Sequence, residues 1–235
     1  MTVYTVNHSI DAYNKVNKRR YGADMYDLDM KDKVVLITGG SRGLGREMSL
    51  GFAGKGADIA LVSRKIESCR ETAEEVEALG VRAFPYAVHV GKWDDLDDMV
   101  EAVYKEFGKV DVLINNAGMS PLYPSLDEVS EELFDKVVGV NLKGPFRLSA
   151  NVGKRMSEAG GGCIINISSG AAVSASPNSE PYGAAKAGLN ALTRSFAHAY
   201  GPLVRVNCIM AGPFLTDISK AWDMDAFNAR AEANI

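Results

Sequence analysis

A chain of 235 residues, 46% hydrophobic and 24% charged, has the make-up of one globular domain with a sizeable core. Its net charge of −4, from 26 basic and 30 acidic residues, provides no basic face for nucleic acid, and no apolar run approaches the ~20 residues of a membrane span. Cys69, Cys163 and Cys208, like His8, His89 and His198, are scattered without disulfide or metal-ligand spacing, so the reading is free thiols in a reducing compartment and no structural metal.

Residues 1–30 lack the apolar core of a secretory signal and carry too many acids for a transit peptide. They read as an N-terminal extension, with residues 31–235 as the folded domain and the cytoplasm as the expected location. From Lys33 onward, short apolar runs alternate with amphipathic segments. The runs are Val34–Thr38, Asp58–Ser63, Arg82–Val88, Val110–Asn115, Cys163–Ser168 and Val204–Ile209. Most are near-continuous in Val, Ile and Leu, as parallel strands covered on both faces require. Helical patterns lie between them, over Arg46–Lys55 and Glu67–Leu79. After Asp94 and Asp95, the apolar residues Leu96, Met99, Val100, Val103, Tyr104 and Phe107 recur at spacings of three and four, until Gly108 ends the helix. Two longer helices are expected over Phe134–Met156 and Tyr182–Tyr200. The alternation predicts a single α/β domain with a doubly wound parallel sheet.

Two stretches carry chemistry. The first strand runs into "TGGSRGLG", Thr38–Gly45, and then into a helix. Gly39, Gly43 and Gly45 allow a tight turn and close backbone approach to a phosphate, which the helix start then favours; Ser41, Arg42 and Leu44 belong to the same loop. Later, "EPYGAAKAG" places Tyr182 and Lys186 four residues apart, on one face of a helix.

Together with "NNAG" at Asn115–Gly118, these stretches resemble the short-chain dehydrogenase/reductase family, of the T-G-x-x-x-G-x-G type. The resemblance implies a Rossmann fold and an NAD(P)-dependent oxidoreductase acting on CH–OH or C=O. Tyr182 would be the general acid/base, helped by Lys186, whose ammonium would lower the phenol pKa and whose amine would also bond the nicotinamide ribose. Ser169, thirteen residues before Tyr182, would hold the substrate oxygen, with Ser168 as the strand's last residue. Asn141 would hold a water connecting the lysine to solvent.

In a doubly wound sheet, ligands bind outside the carboxyl ends of the strands. The glycine loop, Ser63-Arg64, His89-Val90, Asn116-Ala117-Gly118, Ser169 and the segment Ala211–Thr216 all fall on that rim. At the end of strand two, where a family member that selects NAD carries a carboxylate, this chain has Ser63 followed by Arg64. With Arg42 nearby, two guanidiniums favour the 2′-phosphate of NADP(H). The alternatives are an NAD-dependent sugar or alcohol dehydrogenase, or a truncated and catalytically silent nucleotide-binding or assembly protein.

The chain departs from the family pattern in three places. His89 stands where an aspartate usually contacts the adenine amino group, and is read as a substitute acceptor. Ala211-Gly212 replaces Pro-Gly before the cofactor-binding Phe214 and Thr216. After a first lid helix with Trp222, Met224 and Phe227, nothing supplies the family's final strand. Met119, Ser120 and Tyr123 are candidate contacts for a small carbonyl or alcohol substrate. A homodimer or homotetramer is expected, built on the two long helices, with neither nucleic acid nor membrane as a partner.

Overall fold

In the computed structural model, the described residues are 28–174, 177–212, 214 and 225. Backbone contacts divide the chain into a unit spanning Met30–Gly212 and a second made of 1–29 and 213–235. Of the second unit, only Leu28, Asp29, Phe214 and Asp225 are described.

The first unit holds a six-stranded sheet in the order β3-β2-β1-β4-β5-β6, parallel throughout. Its strands are β1 (Val34–Thr38), β2 (Asp58–Ser63), β3 (Ala83–Ala87), β4 (Val112–Asn115), β5 (Gly162–Ser169) and β6 (Val204–Ala211). The helices are α1 (Gly43–Ala53), α2 (Ile66–Glu77), α3 (Trp93–Phe107), α4 (Glu131–Val138), α5 (Gly144–Glu158) and α6 (Glu180–Tyr200). The period of two along the strands explains why both faces carry a core. Val35 and Ile37 join Ile59, Leu61, Val112 and Ile114 under α1 and α2, against Ala53, Cys69, Ala73 and Val76. Leu36 points the other way, joining Ala60, Val62, Leu113 and Ile164 under α3 and α5, against Met99, Val103, Leu148 and Val152. Each fully buried aliphatic side chain contributes roughly 1.5–3 kcal/mol, which makes this two-sided burial the main source of stability.

Three local differences from the sequence expectation have physical causes. The helix expected over Phe134–Met156 begins earlier, because Ser130 caps it by accepting from Leu133 N at 3.1 Å. It also contains a π-helical turn, Gly139–Lys143, closed by Gly144 N bonding to Gly139 O. The sixth strand runs on to Ala211, because it stays paired with β5 as far as Ser169↔Ala211. The functional consequence of the parallel topology is that all six strands end on one rim.

Candidate active site

At the end of β1 the chain turns sharply into α1. Gly39 and Gly43 adopt φ of +66° and +51°, a left-handed region that side chains disfavour. Gly45 is more restricted still: a Cβ there would lie 2.0 Å from Gly39 O. The turn is braced from β4. Asn116 donates from Nδ2 to Thr38 O at 2.9 Å and to Gly39 O at 3.3 Å, while the backbone N–H groups of Asn116 and Ala117 both bond Thr38 Oγ1, at 3.0 and 3.1 Å. Thus "NNAG" holds the glycine turn in place, with Thr38 as the shared acceptor.

The start of α1 is shaped for an anion. Arg42, at its N-cap, is extended and gives no side-chain cap, and the first turn holds no acid. The N–H groups there remain as donors, so the loop fits a dinucleotide pyrophosphate. Beside it, Ser41 Oγ donates to Ser63 Oγ at 2.8 Å, tying the loop to the end of β2. Arg42 and Arg64 are both exposed and make no ion pair among the described residues, whereas nearby Arg46 is engaged by Glu47 and Glu75.

Two bonds converge at the end of β5. Successive strand residues point to opposite faces, so Ser168 and Ser169 serve different ends. Ser168 is buried and donates to Lys186 O at 3.3 Å, anchoring α6. Ser169 instead accepts from Ala171 N at 3.2 Å and lies close enough to Tyr182, in the first turn of α6, to act on its phenol. One turn further along the helix, Lys186 is only 3% exposed and donates from Nζ to Ile167 O at 2.7 Å. Its Nζ lies 5.7 Å from the centre of the Tyr182 ring.

Burial governs both ionisable groups. It pulls the Lys186 ammonium down to about 8, against a small opposing influence from Cys208. It also raises the Tyr182 phenol, with only neighbouring Ser169 acting the other way. This corrects the expected depression of the phenol by Lys186: desolvation outweighs a cation that is committed to a carbonyl.

Asn141 sits in the π turn, fully buried, and clasps the loop after β4. Its Nδ2 donates to Met119 O at 2.8 Å and Val137 O at 2.9 Å, and its Oδ1 accepts from Met119 N at 3.3 Å. A side chain at Gly118 would intrude here, since a Cβ would stand 3.1 Å from Asn141 Oδ1 and 3.6 Å from Lys186 Nζ. Behind this layer a buried relay runs from Asn115 to Asn166 and on to Thr193 of α6, at 2.8 and 2.9 Å, fixing α6 against β4 and β5.

His89 lies past β3, half-buried, with Nδ1 accepting from Gly91 N at 3.1 Å. Burial lowers its pKa, followed by the charges of Arg64, Lys92 and Lys136. The acceptor nitrogen is therefore spent on the ring's own turn, which corrects the reading of His89 as a substitute acceptor. Val90, beside it, is a core residue. Gly212 is exposed, and Phe214 is 40% exposed in the second unit. Thr216, Trp222, Met224 and Phe227 lie outside the described residues.

Ser120 and Tyr123 line a small recess with Leu133, Val137, Pro181 and Tyr182. Tyr123 accepts from Glu180 N at 2.9 Å and donates to the Glu180 carboxylate, joining the post-β4 loop to the start of α6. A larger groove of about 780 Å³, lined by Tyr104, Asn151, Lys154, Arg155 and Glu158, lies at the carboxyl ends of α3 and α5, on the opposite rim of the sheet.

The short chain dehydrogenase family matches residues 33–226. An uncharacterized oxidoreductase of Thermotoga maritima is 39% identical over 79% of this chain and 73% of its own. L-rhamnose 1-dehydrogenase (NAD(P)(+)) of Azotobacter vinelandii is 37% identical over 80% and 76%. Among solved structures, a 3-ketoacyl-(acyl-carrier-protein) reductase from Brucella melitensis complexed with NADH superposes with a TM-score of 0.77 at 31% identity, covering 82% of this chain and 80% of that one. The chain belongs to the short-chain dehydrogenase family and is an NAD(P)-dependent oxidoreductase acting on CH–OH or C=O groups.

Proposed function

We propose that the chain interconverts a small secondary alcohol and its carbonyl using NADP(H), with Tyr182 as general acid/base. The observation that carries this reading is the meeting of Ser169, Tyr182 and Lys186 on the rim that also holds the glycine turn. When bound, the nicotinamide supplies or accepts the hydride. The chain's residues handle the proton and the substrate oxygen. Ser169 holds that oxygen beside Tyr182, which donates its phenolic proton to it in reduction and removes it in oxidation. Lys186 stabilises the resulting phenolate. Asn141, by clasping Met119 and Val137, fixes the loop around Gly118 beside the lysine.

For the cofactor, the residues in reach are Gly39, Ser41, Arg42, Gly43, Leu44 and Gly45 at the pyrophosphate, Ser63 and Arg64 at the ribose, and Lys186 at the nicotinamide end. Two exposed guanidiniums with no ion pair among the described residues, and no carboxylate at the end of β2, support NADP(H). NAD(H) is the second reading, favoured by the NADH complex of the Brucella reductase. Exposed Phe134 and Phe146, on the helices expected to pack between subunits, support a homo-oligomer.

Calorimetric titration with NADPH and NADH at matched salt tests the cofactor reading. Charge-assisted hydrogen bonds contribute roughly 1.5–3 kcal/mol each. Replacing both Arg42 and Arg64 by Ala is therefore expected to weaken NADPH binding at least about tenfold while leaving NADH nearly unchanged. Equal effects on the two dinucleotides would overturn the NADP(H) preference. Tight binding without turnover on any carbonyl or alcohol would favour a silent nucleotide-binding protein.

A further inference from the structure

The position of His89 within the proposed dinucleotide site follows from topology. The glycine turn after β1 takes the pyrophosphate, and Tyr182 and Lys186 place the reacting end beside β5. The adenosine half must then run the other way, over the ends of β2 and β3, where Arg64 and His89 stand. What His89 offers there is set by its own turn. Gly91 N donates to Nδ1 at 3.1 Å, and Lys92 N bonds His89 O at 2.9 Å, which closes the turn. The loop is packed tightly, since a Cβ on Gly91 would stand 3.0 Å from His89 Cε1, and Gly91 in turn lies against Gly139 of the π turn.

A neutral imidazole whose Nδ1 accepts carries its proton on Nε2. Burial, and then the positive charges of Arg64 after β2, Lys92 at the start of α3 and Lys136 on α4, favour the neutral ring that the bond from Gly91 N requires. Lys92 is itself only loosely paired, with Asp95 at 3.8 Å. With no partner for Nε2 among the described residues, that nitrogen is thus a fixed hydrogen-bond donor.

We infer that His89 reads the purine of the dinucleotide as a donor, so that the site is satisfied by an acceptor on the base's Watson–Crick edge, N1 or O6, and does not require an exocyclic amino group. Adenine presents N1 at that edge and hypoxanthine presents O6, and both can accept from Nε2–H. An acidic side chain in the same place accepts only, and rewards the amino group of adenine. The inference rests on the dinucleotide reading above.

The test compares NADPH with its hypoxanthine analogue, titrated into the full chain and followed by dihydronicotinamide fluorescence. Wild type is expected to bind the two within about threefold, whereas His89→Asp prefers the adenine form by about tenfold or more, as expected for one discriminating hydrogen bond. The ratio of the two affinities cancels any common change in phosphate binding or fold. An adenine preference above threefold in the wild type overturns the inference. Failure of both dinucleotides to bind overturns the parent reading instead. A second measurement needs no variant that folds: with only three histidines in the chain, long-range ¹⁵N–¹H correlation can read the ring directly. A proton on Nε2 and none on Nδ1 supports the inference, and either the other tautomer or an imidazolium refutes it.

Discussion

Lys186→Met removes a buried ammonium, and its bond to Ile167 O, while keeping a side chain of similar length and shape. Two effects on stability follow, and they differ in pH dependence. Losing the bond leaves a buried carbonyl unsatisfied, a cost of roughly 1–3 kcal/mol that pH does not change. Losing the ammonium removes the desolvation penalty that pulls its pKa from 10.5 to about 8. Between those values the unfolded chain binds the proton and the folded chain does not, so wild-type stability rises with pH through that window. Below it, both states are protonated and the full penalty, about 3 kcal/mol, persists. The variant has no such term. The stability of wild type minus variant should therefore climb by about 2 kcal/mol between roughly pH 7 and 9.5, since each pKa unit corresponds to about 1.36 kcal/mol. Taking the difference cancels the constant cost of the lost bond and the titration of groups common to both proteins. Urea unfolding at several pH values, followed by far-ultraviolet circular dichroism, measures it. A difference flat to within about 0.5 kcal/mol would refute the claim that this lysine is held in a desolvated site.

Three further outcomes follow from the same geometry. Tyr182→Phe is expected to lower the rate of carbonyl reduction by about 10²–10⁴-fold while leaving dinucleotide affinity nearly unchanged; unaltered turnover across a substrate panel would sink the assignment of Tyr182 as general acid/base. Because burial raises the Tyr182 phenol, alcohol oxidation by the wild type should keep rising with pH above neutrality, a profile the Phe variant should lose. Gly45→Ala sets a Cβ 2.0 Å from Gly39 O, which forces the turn to open; dinucleotide affinity is expected to fall by more than about tenfold, read by calorimetry, and normal affinity would contradict the tight turn.

The parts of this site that could be read from sequence are those set by short spacing. Glycines within a few residues of one another define the turn after β1. A four-residue separation puts Tyr182 and Lys186 on one helix face, and the period of two along β5 separates Ser169 from Ser168. The π turn is different. Its hydrogen bond reaches one residue further than that of an α-helix, so the apolar pattern over Phe134–Met156 continues almost undisturbed across it. Nothing local announces that Asn141 will clasp Met119, 22 residues earlier in the chain. Tyr123 and Glu180, 57 residues apart, are likewise brought together only by the topology.

The two corrected expectations share a physical origin. A sequence names the charges near a group but not the direction in which each is already committed. Lys186 was expected to lower the Tyr182 pKa because a cation four residues away faces the same space. In the folded chain that cation is bonded to Ile167 O and shielded from water together with the phenol, so desolvation dominates both groups and moves each toward its neutral form. His89 was expected to accept, because an imidazole has an acceptor to offer. The turn to Gly91 uses that acceptor. In both cases one backbone group, a carbonyl at Ile167 and an N–H at Gly91, decides the chemistry of a side chain whose identity alone leaves it open. The residue types mark where the site is. Its acid–base and recognition properties follow from where the backbone donors and acceptors beside it point.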